Sequence, residues 1–125
     1  MTYHFRLPFP PSVNTCWRKG GNVTYLTKKG REYRSECVAA IAETIGSPAP
    51  LVGRIGVTIE LTMPDRRRRD IDNHLKAPLD AIQESGLFAD DEQIDFLQVR
   101  RMFVESPGCC DVCVIELADC AGGGL

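Results

Sequence analysis

The sequence predicts a single small domain of mixed α/β class, with two main helices packed on one β-sheet. Three observations lead there. The chain has 125 residues, 43% of them hydrophobic, which suffices for one domain with a real core. Several short segments alternate apolar and polar residues, whereas two longer ones repeat apolar residues at helical spacing. Their order is strand, loop or hairpin, helix, strand, helix, strand, strand, the pattern of helices laid on a small mixed sheet. No repeat or linker divides the chain, so residues 1–125 are read as one domain with 119–125 as a frayed tail.

Tyr3, Phe5 and Leu7 alternate with His4 and Arg6 and predict an opening strand, ended by Pro8, Pro10 and Pro11. Asn14 to Thr27 contains Gly20-Gly21 and is expected to be a loop or hairpin with Arg18-Lys19 as a basic tip. Thr27 is a candidate N-cap for a helix over 28–45, with Val38, Ile41, Ala42 and Ile45 as its buried stripe and Gly46 and Pro48 as its stop. Arg31 and Arg34, three apart, are expected to reach outward together. The β-branched run RIGVTIELTM predicts a strand over 54–63, after which DRRRRD is a loop. A second helix is predicted from Ile71 or Asp72 to Ser85, with stripe Leu75, Leu79 and Ile82, C′ glycine Gly86, and a kink where Pro78 falls past the first turn. Residues 87–93 read as an acidic loop. Segments 94–104 and 111–118 read as two strands joined through Ser106-Pro107-Gly108 as a hairpin.

No apolar run approaches the roughly 20 residues that span a bilayer, and the opening MTYHFRLPFPPS lacks the apolar core of a signal peptide. The expectation is a soluble, cytoplasmic protein with no membrane partner. Without a secretory signal the six cysteines are not a disulfide framework. Cys110-Asp-Val-Cys113 falls on a predicted strand, where residues three apart face opposite ways, so small thiols are expected there in place of zinc ligands. The net charge of −2 conceals a gradient. Residues 1–35 hold seven Arg or Lys against one acid, residues 36–79 hold six of each, and residues 80–125 hold ten acids against two arginines. A basic front is compatible with a phosphate-binding face, because local potential steers a polyanion.

The segment MPDRRRRDIDNHLK concentrates the chemistry. Asp70 and Asp72 stand at a helix start, where they either cap it or share a hard divalent cation. Asp90-Asp91-Glu92 is a second acidic cluster, either solvated surface or the completion of a metal site. A site of several Asp residues suits Mg²⁺, with Mn²⁺ as an alternative, and such a site hydrolyses phosphodiesters. Lys76 lies one turn beyond Asp72, placed to donate a compact positive charge to a phosphate. Arg66, Arg67, Arg68 and Arg69 suit phosphate gripping; their alternative is local pairing with Asp65 and Asp70. Thirteen or so helical residues from Asp72 to Gly86 cover roughly 20 Å, and the five-residue return to Asp91 reaches about 17 Å. Asp91 therefore rejoins Asp72 only by doubling back, by a kink or shorter helix, or from a second subunit.

Three blocks, LPFPPSVNTCWR (7–18), YLTKKGREYR (25–34) and MPDRRRRDIDNHLKAPLDAIQESGLFADDEQI (63–94), together give the chain a likeness to a known family. It resembles the RusA type of Holliday-junction resolvase over nearly its whole length. The resemblance implies a homodimer that binds a four-way DNA junction and nicks two strands symmetrically with Mg²⁺, without an organic cofactor. It implies that Asp70, Asp72 and Asp91 are the metal-binding acids, Lys76 a catalytic residue and Asp90 a supporting acid at the metal. Candidate DNA contacts are Arg66 to Arg69, Asn73, Asn14, Arg18, Lys19 and Arg34. His74 and the cysteine-rich end depart from the family pattern. Two other readings remain open on the residues: a non-catalytic branched-DNA-binding module, and a metal-dependent nuclease for other branched DNA.

Overall fold

A computed structural model of the chain describes residues 1–117; the predicted frayed tail, 119–125, and Cys120 lie outside the described residues. Strand β1 (Thr2–Pro8) leads into a short helix α1 (Val13–Cys16), then β2 (Trp17–Gly20) and β3 (Val23–Leu26). Helix α2 (Lys28–Ile45), strand β4 (Ile55–Met63), a 3-10 turn (Ile71–His74) and helix α3 (Lys76–Ser85) follow. A second 3-10 turn (Asp91–Gln93) opens β5 (Ile94–Val104), and β6 (Cys109–Glu116) is the last strand. The main sheet has the order β1-β6-β4-β5, with β5 parallel to β4 and the other pairs antiparallel. The mixed α/β class stands.

The helices cover one face of this sheet. Phe5 and Leu7 of β1, Val57, Ile59, Leu61 and Met63 of β4, and Cys110, Val112 and Val114 of β6 form the buried side. The helices meet them with Tyr33, Cys37 and Ile41 from α2 and Ala77, Ala81 and Ile82 from α3. The opposite face carries charge, with Arg6 bonded to Asp111 (2.7 Å) and Arg100 beside Glu60 (3.5 Å). As expected of a strand, Cys110 is buried while Cys113 stands half-exposed on the outer side.

Helix α2 has the predicted bounds, and Thr27 caps it by accepting from the Gly30 amide at 3.1 Å. Its buried stripe is displaced from the expected one: Gly30, Tyr33, Cys37 and Ile41 face inward, Val38 is half-buried and Ala42 is exposed. The small-residue start explains the shift. A Cβ on Gly30 would stand 2.7 Å from the Cys16 carbonyl and from a Leu26 methyl, so this turn is where the β2–β3 hairpin seats on the helix. Arg18-Lys19 lies on β2, not at the hairpin tip, which is formed by Gly21 and Asn22.

Two further expectations are corrected. The second helix begins at Lys76, preceded by the 3-10 turn, so Pro78 sits in the first turn where its missing N–H is not needed. No kink is required. The apolar stripe moves accordingly, burying Ala77, Pro78, Ala81 and Ile82 and leaving Leu75 and Leu79 half-buried. Segments 94–104 and 109–116 are strands but not a hairpin, because β4 lies between them. The connection must span two strand spacings, about 10 Å, and passes close over the end of β4. Gly108 makes that crossing at φ 81°, where a Cβ would stand 2.9 Å from the Thr62 carbonyl and 3.0 Å from the Pro64 nitrogen.

Candidate active site

The arginine loop is built around Asp65. Its carboxylate accepts from the Arg67 amide at 2.9 Å and from both terminal nitrogens of Arg69, at 2.5 and 3.3 Å. The Arg69 guanidinium also lies over Phe9, 5.6 Å from the ring centroid, and on the next step His74 tilts against Phe9 at 5.1 Å. His74 is buried, with Nδ1 donating to the Pro10 carbonyl at 2.8 Å. Arg101 of β5 donates to the Arg69 carbonyl. Asp70 is thus delivered by a turn fixed from three sides. Phe9 and His74 were not expected in this role; the sequence signalled only that His74 departs from the family pattern.

Arg69 is consequently a structural arginine, its side chain only 18% exposed. Arg66, Arg67 and Arg68 are exposed. With Lys29, Ser12 and Thr15 facing them, Arg67 and Arg68 flank an open cleft of about 780 Å³ that also takes in Asp70 and Asn73. Lys19 is exposed on the hairpin, and Arg18 bends back to the exposed Asn14 carbonyl at 2.9 Å. Arg31 and Arg34 do not reach out together: Arg31 donates to the Leu26 carbonyl at 2.8 Å, and Arg34 turns to Glu84 of α3 at 3.8 Å.

The hydrogen bonds and the Arg69 guanidinium hold the Asp65 carboxyl down to about 2, from an ordinary 3.8. A carboxyl depressed on folding contributes stability that is complete above about pH 4 and is lost as pH falls through about 2. Amide exchange in residues 65–70 is therefore expected to stay constant from pH 7 to 4, once intrinsic rates are divided out, and to accelerate below about pH 3. Asp65→Asn should accelerate it at neutral pH; equal protection in that variant would show that Asp65 does not order the loop.

The acidic return loop sorts into separate roles. Asp90 caps the second 3-10 turn, accepting from the Glu92 amide at 3.0 Å, while Gln93 closes a reciprocal box on the Asp90 amide. The Gln93 amide group also donates to the carbonyls of Leu51 (2.8 Å) and Gly53 (3.0 Å), stitching the loop to the neighbouring segment. Glu92 pairs with Arg54 at 3.1 Å, and Asp95 pairs with it as well. Asp91 is exposed, and no side-chain bond engages it among the described residues. The sequence reading did not single out Gln93, a polar side chain whose partners lie forty residues away.

Lys76 opens α3, its ammonium 3.7 Å from Asp80 and 4.7 Å from the centroid of the Trp17 ring. Burial raises the Asp80 carboxyl above its ordinary range; Lys76 opposes this, and the negative charge of nearby Asp91 adds to it. Asp70 and Asp72 are exposed, without ion pairs among the described residues. Among the described residues no three His, Cys, Asp or Glu side chains are placed to hold a metal ion. Carboxylate oxygens are the donors that a hard divalent cation takes, and Asp70, Asp72 and Asp91 are the exposed acids that would offer them.

Comparison with known proteins places this geometry in context. The family model described as endodeoxyribonuclease RusA matches residues 8–110. The crossover junction endodeoxyribonuclease rusA of Enterobacteria phage HK97 is 41% identical over 106 residues, covering 85% of this chain and 87% of the relative. Those of Enterobacteria phage 82 and of Escherichia coli K12 are 36% identical over 118 residues, covering 94% of this chain and 98% of each relative. With the arginine loop, the paired aspartates and the return loop all inside the matched span, the chain belongs to the RusA endodeoxyribonuclease family.

Proposed function

We propose that this protein is a Mg²⁺-dependent endodeoxyribonuclease that resolves four-way DNA junctions by paired symmetric nicks as a homodimer. The observation that carries this reading is the pairing of opposites at one cleft. Arg67, Arg68 and Lys29 supply cations for phosphates, and the carboxylate of Asp70 lines the same cleft. Neither Asp70 nor Asp72, two residues on, has a structural partner among the described residues. Carboxylates that merely offset the arginines would be paired with them, as Asp65 is. The arginines, Asn73, Asn14, Arg18, Lys19 and Arg34 bind and orient the strand. Asp70, Asp72, Asp91 and Lys76 act at the scissile phosphate, with Asp90 supporting Asp91. The ion, or Mn²⁺ in its place, supplies a Lewis acid and an activated water when bound.

A dimer is supported by β5. It is an edge strand of eleven residues, and Phe96, Leu97, Phe103 and Val104 along it are 41 to 63% exposed. A long apolar edge is a liability unless something pairs with it. A second copy running antiparallel across a twofold axis matches two equivalent strands of a junction with two equivalent sites.

The test compares four-way junction, flap and plain duplex at matched salt, with and without Mg²⁺. Symmetric nicks in the junction alone are expected. Tight binding with no nicking under Mg²⁺ or Mn²⁺ would make the protein a binding module, and preferred cutting of flaps would make it a nuclease for other branched DNA.

A further inference from the structure

Lys76 is held more firmly than a lysine at a helix start requires. Its four-carbon stem is flexible and its side chain is 54% exposed, so an unpartnered ammonium would spread over many rotamers. Two groups confine it from different parts of the chain. Asp80, one turn on and 23% exposed, lies 3.7 Å away. Trp17, 59 residues away in sequence, presents its ring face at 4.7 Å. Helix propensity does not account for the first contact, because a lysine N-terminal to its acid is the weaker order for such a pair. Nor is Trp17 there by accident of a loose hairpin. It pairs with Leu26, and Leu26 seats on Gly30, so the indole is fixed to α2 through the base of β2–β3.

We propose that Trp17 and Asp80 are positioning residues that hold the Lys76 ammonium at one point beside the cleaved phosphate. The inference rests on the catalytic role given to Lys76 under Proposed function. Asp80 draws the ammonium along α3, and the indole face blocks its escape on the hairpin side. Neither touches DNA in this account; both act through where the charge stands. A catalytic cation displaced by about 1 Å loses much of its effect on the transition state, so loss of either partner lowers turnover and spares binding.

The experiment has two arms. In the first, the full chain is labelled at lysine and the Lys76 ε-methylene resonance is identified by its absence in Lys76→Arg. The indole ring current is expected to move it upfield of the other lysines, and Trp17→Leu to return it. A Lys76 resonance among the others, unmoved by Trp17→Leu, overturns the proposal whether or not the protein cuts DNA. In the second, single-turnover nicking is expected to fall roughly three- to tenfold in Trp17→Leu and in Asp80→Asn, with junction affinity unchanged, while Trp17→Phe keeps most of the rate. A purely structural indole would make Leu and Phe equivalent, and equal rates in the two overturn the positioning role. If Trp17→Leu melts early, Asp80→Asn, which conserves volume, tests the clamp in its place, and an unchanged nicking rate in it overturns the positioning role. A wild type that cuts no junction would instead refute the functional reading, leaving the resonance to decide the clamp.

Discussion

Asp70→Asn and Asp72→Asn are each expected to reduce junction nicking by about 10³-fold or more, while junction affinity stays within roughly twofold. The argument rests on what these carboxylates do not do. Both are exposed, neither caps the 3-10 turn with its side chain, and neither pairs with the arginines beside it among the described residues. Exchanging oxygen for an amide nitrogen therefore removes charge without removing a fold contact. The melting temperature should barely move, since surface substitutions of this kind fall within about 0.5 kcal/mol. The cations proposed to set affinity, Arg67, Arg68 and Lys29 among them, remain, and loss of a negative charge near phosphate is expected not to weaken binding. Normal nicking in either variant would remove that aspartate from the catalytic set.

Asp90 supplies the contrast within the same protein. Its carboxylate already serves the Glu92 amide, so Asp90 and Asp91, adjacent in sequence, are not equivalent. Substituting an N-cap costs about 1 kcal/mol and loosens the turn that presents Asp91. Glu92 is likewise committed, to Arg54. Of the three consecutive acids, Asp91 alone keeps its charge for another purpose among the described residues.

Much of the fold was legible because local rules and tertiary packing agree. Thr27, Gly46 and the apolar spacing between them define α2, and the β-branched run of β4 defines the sheet's centre. Local rules failed where two pairings share one signature. A four-residue connection after Val104 fits a hairpin as well as a crossing over β4, and only the close approach of Gly108 to Thr62 distinguishes them. Pro78 misled for a related reason: proline marks either a kink or a first turn, depending on where the helix starts. At the candidate site, Asp70, Asp72 and Lys76 stand out because they share one segment. The supports do not. Phe9, Trp17 and Gln93 reach their partners across some 42 to 65 residues, and nothing in a sequence window records such meetings.

Breaking the β5 edge is expected to abolish both dimer and activity. Leu97→Lys with Phe103→Lys places charge on two side chains already 44% and 63% exposed, so the monomer fold tolerates it. The double variant should elute as a monomer and nick at least about a hundredfold more slowly. The reason lies in the strand's two ends. Asp91 precedes the first residue of β5, whereas Arg101, near its far end, holds the carbonyl of Arg69 immediately before Asp70. An antiparallel partner exchanges these ends, bringing Asp91 of the partner subunit toward Asp70 and Asp72. Such an exchange would complete a three-acid site across the dimer. Mixed dimers test it directly: pair an Asp70→Asn chain with an Asp91→Asn chain. If each site draws both residues from one chain, both sites of the heterodimer are dead. If each site is shared, one site keeps Asp70 and Asp91 intact and nicks a single strand. A confirmed heterodimer that nicks neither strand would refute the shared site, and a double variant that remains dimeric would move the interface away from β5.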